Sequence, residues 1–386
     1  MALTEALELI TTALDCKQYA LGIFIDLKKA FDTIDHSILF KKLESYGIRG
    51  LALNWVKSYL SKRQQFVQLG DCVSSCRDIT CGVPQGSVLG PKLFILYIND
   101  MQRVSKLLHF VLFADDTNIF CQGDDLKQLQ NDVSREMGKL KIWFDRNKLS
   151  LNLSKTKTML FGNHKSDQQV KIKINGVEIE NVTEFKFLGV TIDDKITWKA
   201  HIKHIQSKIS RSTGIIGRMK RFLEPKILRI LYCSLVLPYL QYCAGIWGCN
   251  YKTTLRPVIM AQKRALRVIH KVNFIEHTNA LFLQSKLLKF VDLVQFERAQ
   301  VMYKATAGVL PPNIQKLFSV RESNYNLRGT LHLIVRPVRT VRKSFCISVS
   351  GVRLWNSLAD ELKWCDTLKK FKVMLKKKTI EKYKEE

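Results

Sequence analysis

Leu107-Leu-His-Phe-Val-Leu-Phe-Ala-Asp-Asp-Thr-Asn-Ile-Phe-Cys121 holds the pattern that decides the fold. Leu107 to Phe113 is apolar apart from His109, and Asn118 to Cys121 resumes that character. Between them stands Ala114-Asp115-Asp116-Thr117, four residues of turn chemistry. Two short apolar runs joined this way predict a β-hairpin whose tip presents two adjacent carboxylates. Far upstream, Tyr19-Ala-Leu-Gly-Ile-Phe-Ile25 is short and apolar enough to be a buried strand, and Asp26 follows it directly. If that strand and the hairpin are neighbours in one sheet, three carboxylates converge at its edge.

The remaining chain fills in around this nucleus. An amphipathic helix fits about 2–14, another follows Asp35 and ends near Gly47, and a third fits 51–60. A hairpin fits 64–82, and a helix runs from Pro91 to about Met101. Apolar positions 126, 129, 133, 137, 140 and 144 step by three and four, the mark of an amphipathic helix over 125–148. Short strands are expected at 156–162, 170–174, 177–182 and 184–192. From Trp198 to about 306 the pattern is almost wholly helical, then irregular until a Lys-rich helix near 367–383. The fold class is therefore α+β, a mixed body followed by a mainly helical half.

Charge divides the chain in the same place. The 386 residues carry 62 Lys and Arg against 34 Asp and Glu, a formal +28. Residues 1–200 hold 27 basic and 23 acidic side chains, whereas residues 201–386 hold 35 and 11. A positive excess that large and that one-sided points to a polyanionic partner. The ten cysteines include no CxxC pair, and Cys72, Cys76 and Cys81 lack a nearby fourth ligand for zinc, so scattered thiols are expected. With no signal-peptide pattern at the start, the expectation is a reduced, intracellular protein. Ile230 to Tyr251 carries no formal charge, but Pro238, Gln241 and Gly245 interrupt it. Buried helices around a proline break fit it better than a membrane span, so no stable membrane association is expected.

Clustered carboxylates repel one another unless cations compensate, and hard divalent metals with oxygen ligands do so. Two such ions about 3.5–4 Å apart would clamp the attacking and leaving oxygens of an in-line phosphoryl transfer. An Asp-Asp turn by itself reads first as an ordinary polar turn, and Asp26 as a strand cap. The words around them decide. Phe24-Ile-Asp-Leu-Lys-Lys-Ala-Phe-Asp-Thr-Ile-Asp-His36, Gly82-Val-Pro-Gln-Gly-Ser-Val-Leu-Gly-Pro91, Tyr97-Ile-Asn-Asp100 and Phe113-Ala-Asp-Asp116 occur in that order. With Asn152-Leu-Ser-Lys155 and Phe187-Leu-Gly-Val190, they resemble the palm of reverse transcriptases from non-LTR retrotransposons, the jockey-like group above all. The likeness is dense over roughly 1–200. Leu237-Pro-Tyr-Leu240 and Gly351-Val-Arg-Leu-Trp-Asn356 are similar to the less diagnostic region that follows the polymerase in these elements.

The resemblance implies a right-hand polymerase palm with an antiparallel sheet over 1–193, a helical thumb over 194–256 and a basic C-terminal extension over 257–386. It implies Asp26 and Asp115 as principal metal ligands, Asp116 completing the set, and the Leu27 carbonyl as a further ligand. Two Mg2+ ions are the implied cofactors, with Mn2+ an alternative. Phe31 matches the aromatic that excludes a ribose 2′-OH, and Pro84, Gln85 and Gly86 match the loop against the incoming nucleotide and template. Lys155 is the candidate proton donor to pyrophosphate, or else one more solvated lysine.

Phe187, Leu188 and Gly189 resemble the hairpin that grips the primer terminus. Lys199, Lys203, Lys208, Arg211, Arg218, Lys220 and Arg221 lie where a thumb would meet template and primer phosphates, with no acid from Trp198 to Leu223. The implied partners are an RNA template, a DNA primer and deoxynucleoside triphosphates, in the nucleus or a cytoplasmic ribonucleoprotein; no protein partner is indicated. The family carries a fingers segment ahead of the strand bearing Asp26, and this chain begins about 25 residues before it, so a truncated copy is expected. The resulting expectation is an RNA-directed DNA polymerase, the alternative being a non-catalytic nucleic-acid-binding remnant.

Overall fold

The computed structural model describes residues 1–163, 170–174, 176–320 and 332–384. They divide into two compact bodies, one of residues 17–183 and one joining residues 3–16 to 184–386. The expected boundaries at 193/194 and 256/257 both fall inside the second body. Residues 321–331, part of the irregular stretch expected after 306, lie outside the described residues.

The first body is built on a five-stranded sheet. Its strands are β1 (Tyr19–Ile25), β2 (His109–Phe113), β3 (Asp116–Gly123), β4 (Lys157–Phe161) and β5 (Glu180–Asn181), in the order β5-β4-β1-β3-β2. All pairs are antiparallel except β4 with β5, which run parallel. β1 lies in the middle, and from Ala20 onward every residue is buried, which explains its near-unbroken apolar run. Leu21, Ile23 and Ile25 share a core with Leu39 and Leu43, with Tyr97, and with Met137, Leu140 and Phe144. These come from the helices His36–Ser45, Leu89–Ile98 and Leu126–Arg146, which cover one face of the sheet. Burying each such side chain contributes roughly 1.5–3 kcal/mol. The alternate side chains of β1 face the other way, where Phe24 meets Phe120 edge to face at 6.2 Å. Gly22 leaves room there for Phe161, whose ring a Cβ would approach to 2.9 Å.

Caps set the helix ends. Asp35 and Asp125 accept from Ile38 N and Gln128 N at the starts of His36–Ser45 and Leu126–Arg146. Gly47, at φ 87, follows the end of the first of these. The stretch 64–82 forms a nested hairpin, Gln64–Gln65 pairing with Arg77–Asp78 and Gln68–Leu69 with Cys72–Val73. Cys72, Cys76 and Cys81 are exposed free thiols.

In the second body, β6 (Glu184–Phe187) and β7 (Val190–Asp193) form a hairpin rather than the single strand expected over 184–192. Leu188 and Gly189 both take positive φ, 47 and 78, and turn the chain between them. The helix Lys199–Met219 buries Ile202, Ile205, Ile209 and Ile216 along one stripe. A separate core gathers Met302, Trp355, Phe371 and Leu375 from Phe290–Thr306, Val352–Ser357 and the Lys-rich helix Leu368–Glu381. The uncharged stretch is broken into helices Pro225–Leu235, Leu237–Gln241 and Ala244–Trp247, with Cys243 left-handed at φ 53. Among the described residues no helix is long and apolar enough to cross a membrane.

Candidate active site

The sheet brings the strand bearing Asp26 and the Asp-Asp hairpin together. β1 pairs with β3 with Ile25 opposite Thr117, so Asp26 and Asp116 lie just beyond the same pair. The tip is tighter than its turn chemistry suggests. Phe113 pairs with Asp116, so only Ala114 and Asp115 turn the chain, and Asp116 and Thr117 belong to β3. Ala114 takes φ 52, a left-handed conformation that a residue with a Cβ adopts at a cost of about 1–2 kcal/mol.

The three carboxyls feel one another. Asp116 holds its proton more tightly than an ordinary aspartate; desolvation is the largest cause, followed by the charges of Asp115 and Asp26. Among the described residues no set of three or more His, Cys, Asp or Glu side chains is arranged to hold a metal ion. The donors nevertheless fit a hard divalent cation in kind, since Asp116 carries repulsion from two neighbours that a cation would relieve.

Asp26 has further partners. Its Oδ2 accepts from Asn152 Nδ2 at 2.8 Å and faces Lys155 Nζ at 4.0 Å. Beyond Asp26 the chain keeps company with 150–152: Asn152 N donates to the Asp26 carbonyl, Leu27 bridges Leu151, and Lys28 N donates to the Ser150 carbonyl. Lys155 thus stands beside the carboxylate cluster.

Phe31 and the Pro84-Gln85-Gly86 turn are also brought together. Val83 N donates to the Phe31 carbonyl and Gly82 N to the Ile34 carbonyl, both at 2.8 Å. Gln85 Nε2 donates to Asp32 Oδ1 at 2.7 Å, and His36 Nε2 lies 2.7 Å from the Gly82 carbonyl. A Cβ on Gly82, at φ 85, would come within 2.9 Å of the Asp32 backbone, so only glycine permits this approach. The Phe31 ring packs on Phe94 with centroids 4.8 Å apart.

Two of the motif words turn out to hold the scaffold. Tyr97 is buried and donates to the Asn147 carbonyl, while Lys42 binds the Tyr97 carbonyl and Asp100 at 2.6 and 2.7 Å. Asp35 binds Lys148 at 2.6 Å, which with Ser37 and Ile38 holds its carboxyl far below the usual range.

In the second body, Phe187 is 1% exposed and belongs to the core, leaving Leu188 and Gly189 as the outer part of that hairpin. Tyr242 clasps the turn, its hydroxyl donating to the Leu188 carbonyl at 2.6 Å. Lys199, Lys203, Arg211 and Arg218 are exposed and Lys208 half-buried on the side of their helix away from its isoleucines, with exposed Lys220 and Arg221 at its end. None of these seven pairs with a carboxylate among the described residues.

The residue that sequence reasoning passed over is Asn152. Its position in Asn152-Leu-Ser-Lys155 was visible, but its bond to a carboxylate 126 positions away was not.

Residues 3–192 match the family model described as reverse transcriptase (RNA-dependent DNA polymerase). Among curated proteins, the RNA-directed DNA polymerase from mobile element jockey of Drosophila melanogaster is 28% identical over 295 residues, 73% of this chain and 32% of that one. The probable RNA-directed DNA polymerase from transposon X-element of the same organism is 27% identical over 303 residues, 75% of this chain and 32% of that one. The chain thus spans about a third of the length of these relatives. A solved structure of apo telomerase from Candida tropicalis aligns with 80% of this chain and 53% of its own at 13% identity and a TM-score of 0.40, too slight a likeness to assign any residue.

Proposed function

Because residues 3–192 match the reverse transcriptase family model and resemble polymerases of non-LTR retrotransposons, we propose that this chain performs RNA-templated DNA synthesis. The reaction is nucleotidyl transfer from a deoxynucleoside triphosphate to a primer 3′-OH. The observation that carries it is the meeting of Asp26 with Asp115 and Asp116 at one sheet edge, with Lys155 4.0 Å from Asp26.

Asp26, Asp115 and Asp116 would hold the divalent ions, two Mg2+ or alternatively Mn2+. Bound there, the ions would supply electrostatic stabilisation to the attacking and leaving oxygens. Lys155 would give a proton to the departing pyrophosphate. Phe31, braced on Phe94, restricts the space beside the sugar, and its backbone tie to Val83 keeps it in step with the Gln85 loop. Leu188 and Gly189 offer backbone to a primer, and the basic side of Lys199–Met219 suits phosphates without reading sequence.

Primer extension on an RNA template, with and without Mg2+, tests this reading. Extension should require the ion, and Asp115→Asn should lower it roughly a hundredfold or more while sparing primer–template binding. A chain that binds primer–template tightly but never extends it would instead be the non-catalytic binder.

A further inference from the structure

Only one of the two Asp26 carboxylate oxygens is engaged. Oδ2 is taken by Asn152 Nδ2 at 2.8 Å and faces Lys155, while Oδ1 has no partner among the described residues. Asn152 is itself held from several sides. Its backbone N donates to the Asp26 carbonyl at 2.9 Å, and its own carbonyl accepts from Thr156 N and Thr156 Oγ1, both at 2.9 Å. Its side-chain Oδ1 accepts from Ser154 Oγ at 2.8 Å. These contacts fix which way the amide points. An ionised carboxylate only accepts, so the NH2 of Asn152 must face Asp26 and its oxygen must face the Ser154 hydroxyl.

We infer that Asn152 is a positioning residue that holds the Asp26 carboxylate in one orientation for a divalent cation, leaving Oδ1 free, and ties that carboxylate to the loop carrying Lys155. The inference rests on the polymerase reading. Its physical basis is the neutrality of the amide. A lysine at 152 would cancel the Asp26 charge and weaken the cation's attraction. An aspartate there would add a fourth negative charge at hydrogen-bond distance. An asparagine donates one hydrogen bond, adds no charge, and removes the rotational freedom that a free carboxylate would lose on binding an ion. Outer contacts of this kind are worth about 10–100-fold in metal affinity.

The test is Mn2+ affinity of the full chain, read from the electron paramagnetic resonance signal of free Mn2+, which needs no catalytic turnover. Asp26→Asn should weaken binding, and Asn152→Ala should weaken it about 10–100-fold. Lys155→Met should keep or raise affinity, because it removes a cation from beside the site. If Asn152→Ala does not fold, Ser154→Ala replaces it: the Ser154 side chain is exposed, and its loss frees the amide to turn, with a smaller fall expected. Weakening by Asp26→Asn but by neither Asn152→Ala nor Ser154→Ala overturns this inference alone. Unchanged affinity in Asp26→Asn overturns it together with the polymerase reading. An equal fall in Asn152→Ala and Lys155→Met would mark general collapse of the 150–156 loop and also overturns it.

Discussion

Asp115 and Asp116 in one body and Glu8 in the other place their charges in opposite ways. In residues 17–183 the carboxylates of Asp115 and Asp116 stand exposed at the sheet edge, repelling each other with no cation bonded to either among the described residues. In the other body the exterior helix side is basic, and charges lie inside. Glu8, 4% exposed, accepts from Lys343 Nζ at 2.5 Å and from Ser348 N and Oγ at 2.9 and 2.7 Å. Arg298, 3% exposed, donates to the Gly245 and Phe345 carbonyls and to Ser350 Oγ. A buried charge survives folding only when its partners replace water. An exposed cluster of like charges gives folding nothing, and its mutual repulsion suits a cationic ligand. A carboxylate therefore serves structure at Glu8, whereas the pair at Asp115 and Asp116 is left open to a cation under the proposed function.

The sharpest way to break this contrast is to remove one carboxylate from each. Glu8→Ala leaves the Lys343 ammonium buried beside Thr12 with no carboxylate, and the expected loss is about 3–5 kcal/mol of unfolding free energy. Replacing both Glu8 and Lys343 by methionine should recover most of it. Asp115→Asn should change stability by less than about 0.5 kcal/mol, as an exposed substitution does. Urea titration of the three variants measures this. A stability loss in Asp115→Asn as large as that in Glu8→Ala would erase the distinction.

A smaller effect separates the bodies by pH. His201 is 1% exposed, meets Trp247 edge to face at 5.2 Å, and accepts from Thr191 N through Nδ1 at 3.3 Å. Burial, and after it the charge of His204, lowers its pKa from 6.5 to about 4. The unfolded chain therefore binds a proton that the folded chain refuses between those values. The stability that this contributes is present above about pH 6.5 and lost progressively as pH falls through about 4. Between pH 7.5 and 5 the expected loss is about 2 kcal/mol. Thermal denaturation at the two pH values reads it, and His201→Gln should flatten that part of the profile. An unaltered profile in His201→Gln would remove this histidine from the account.

What the sequence disclosed follows from the range of the interactions. β1 and the Asp-Asp hairpin were legible because their apolar runs are local and their burial is nearly complete. Asp26, Asp115 and Asp116 stand next to such runs, but it was the motif words around them, through the family resemblance, that made them candidates. The two-residue turn was not legible, because alanine gives no sign that Ala114 takes a left-handed conformation. Phe187 was a primer-contact candidate through the resemblance, with a buried strand as the alternative, and its side chain is buried. The bonds from Asn152 to Asp26, from Gln85 to Asp32 and from Lys343 to Glu8 span 126, 53 and 335 positions. Pattern reading has no access to such pairs. Glu8 did carry a faint signal, an acid beside the apolar stripe of Leu3, Leu7 and Ile10.

The smallest effect tests the charge contrast through lysines. Lys203 is exposed on the basic side of Lys199–Met219 and pairs with no carboxylate among the described residues. Lys139, in the sheet body, binds Glu136 at 2.6 Å on its own helix. If the first contacts a phosphate, Lys203→Gln should remove one released counterion. The slope of log affinity against log salt should then become shallower by about 0.9 on a duplex, or about 0.7 on a single strand. At 0.15 M salt that corresponds to roughly four- to sixfold weaker binding. Lys139→Gln removes the exposed partner of the buried Glu136 and should leave the slope as it was. Titrating primer–template into both variants across a salt series decides between them. Equal slopes would mean that the basic side of this helix is only a solvated surface, and the contrast between the bodies would then rest on their buried charges alone.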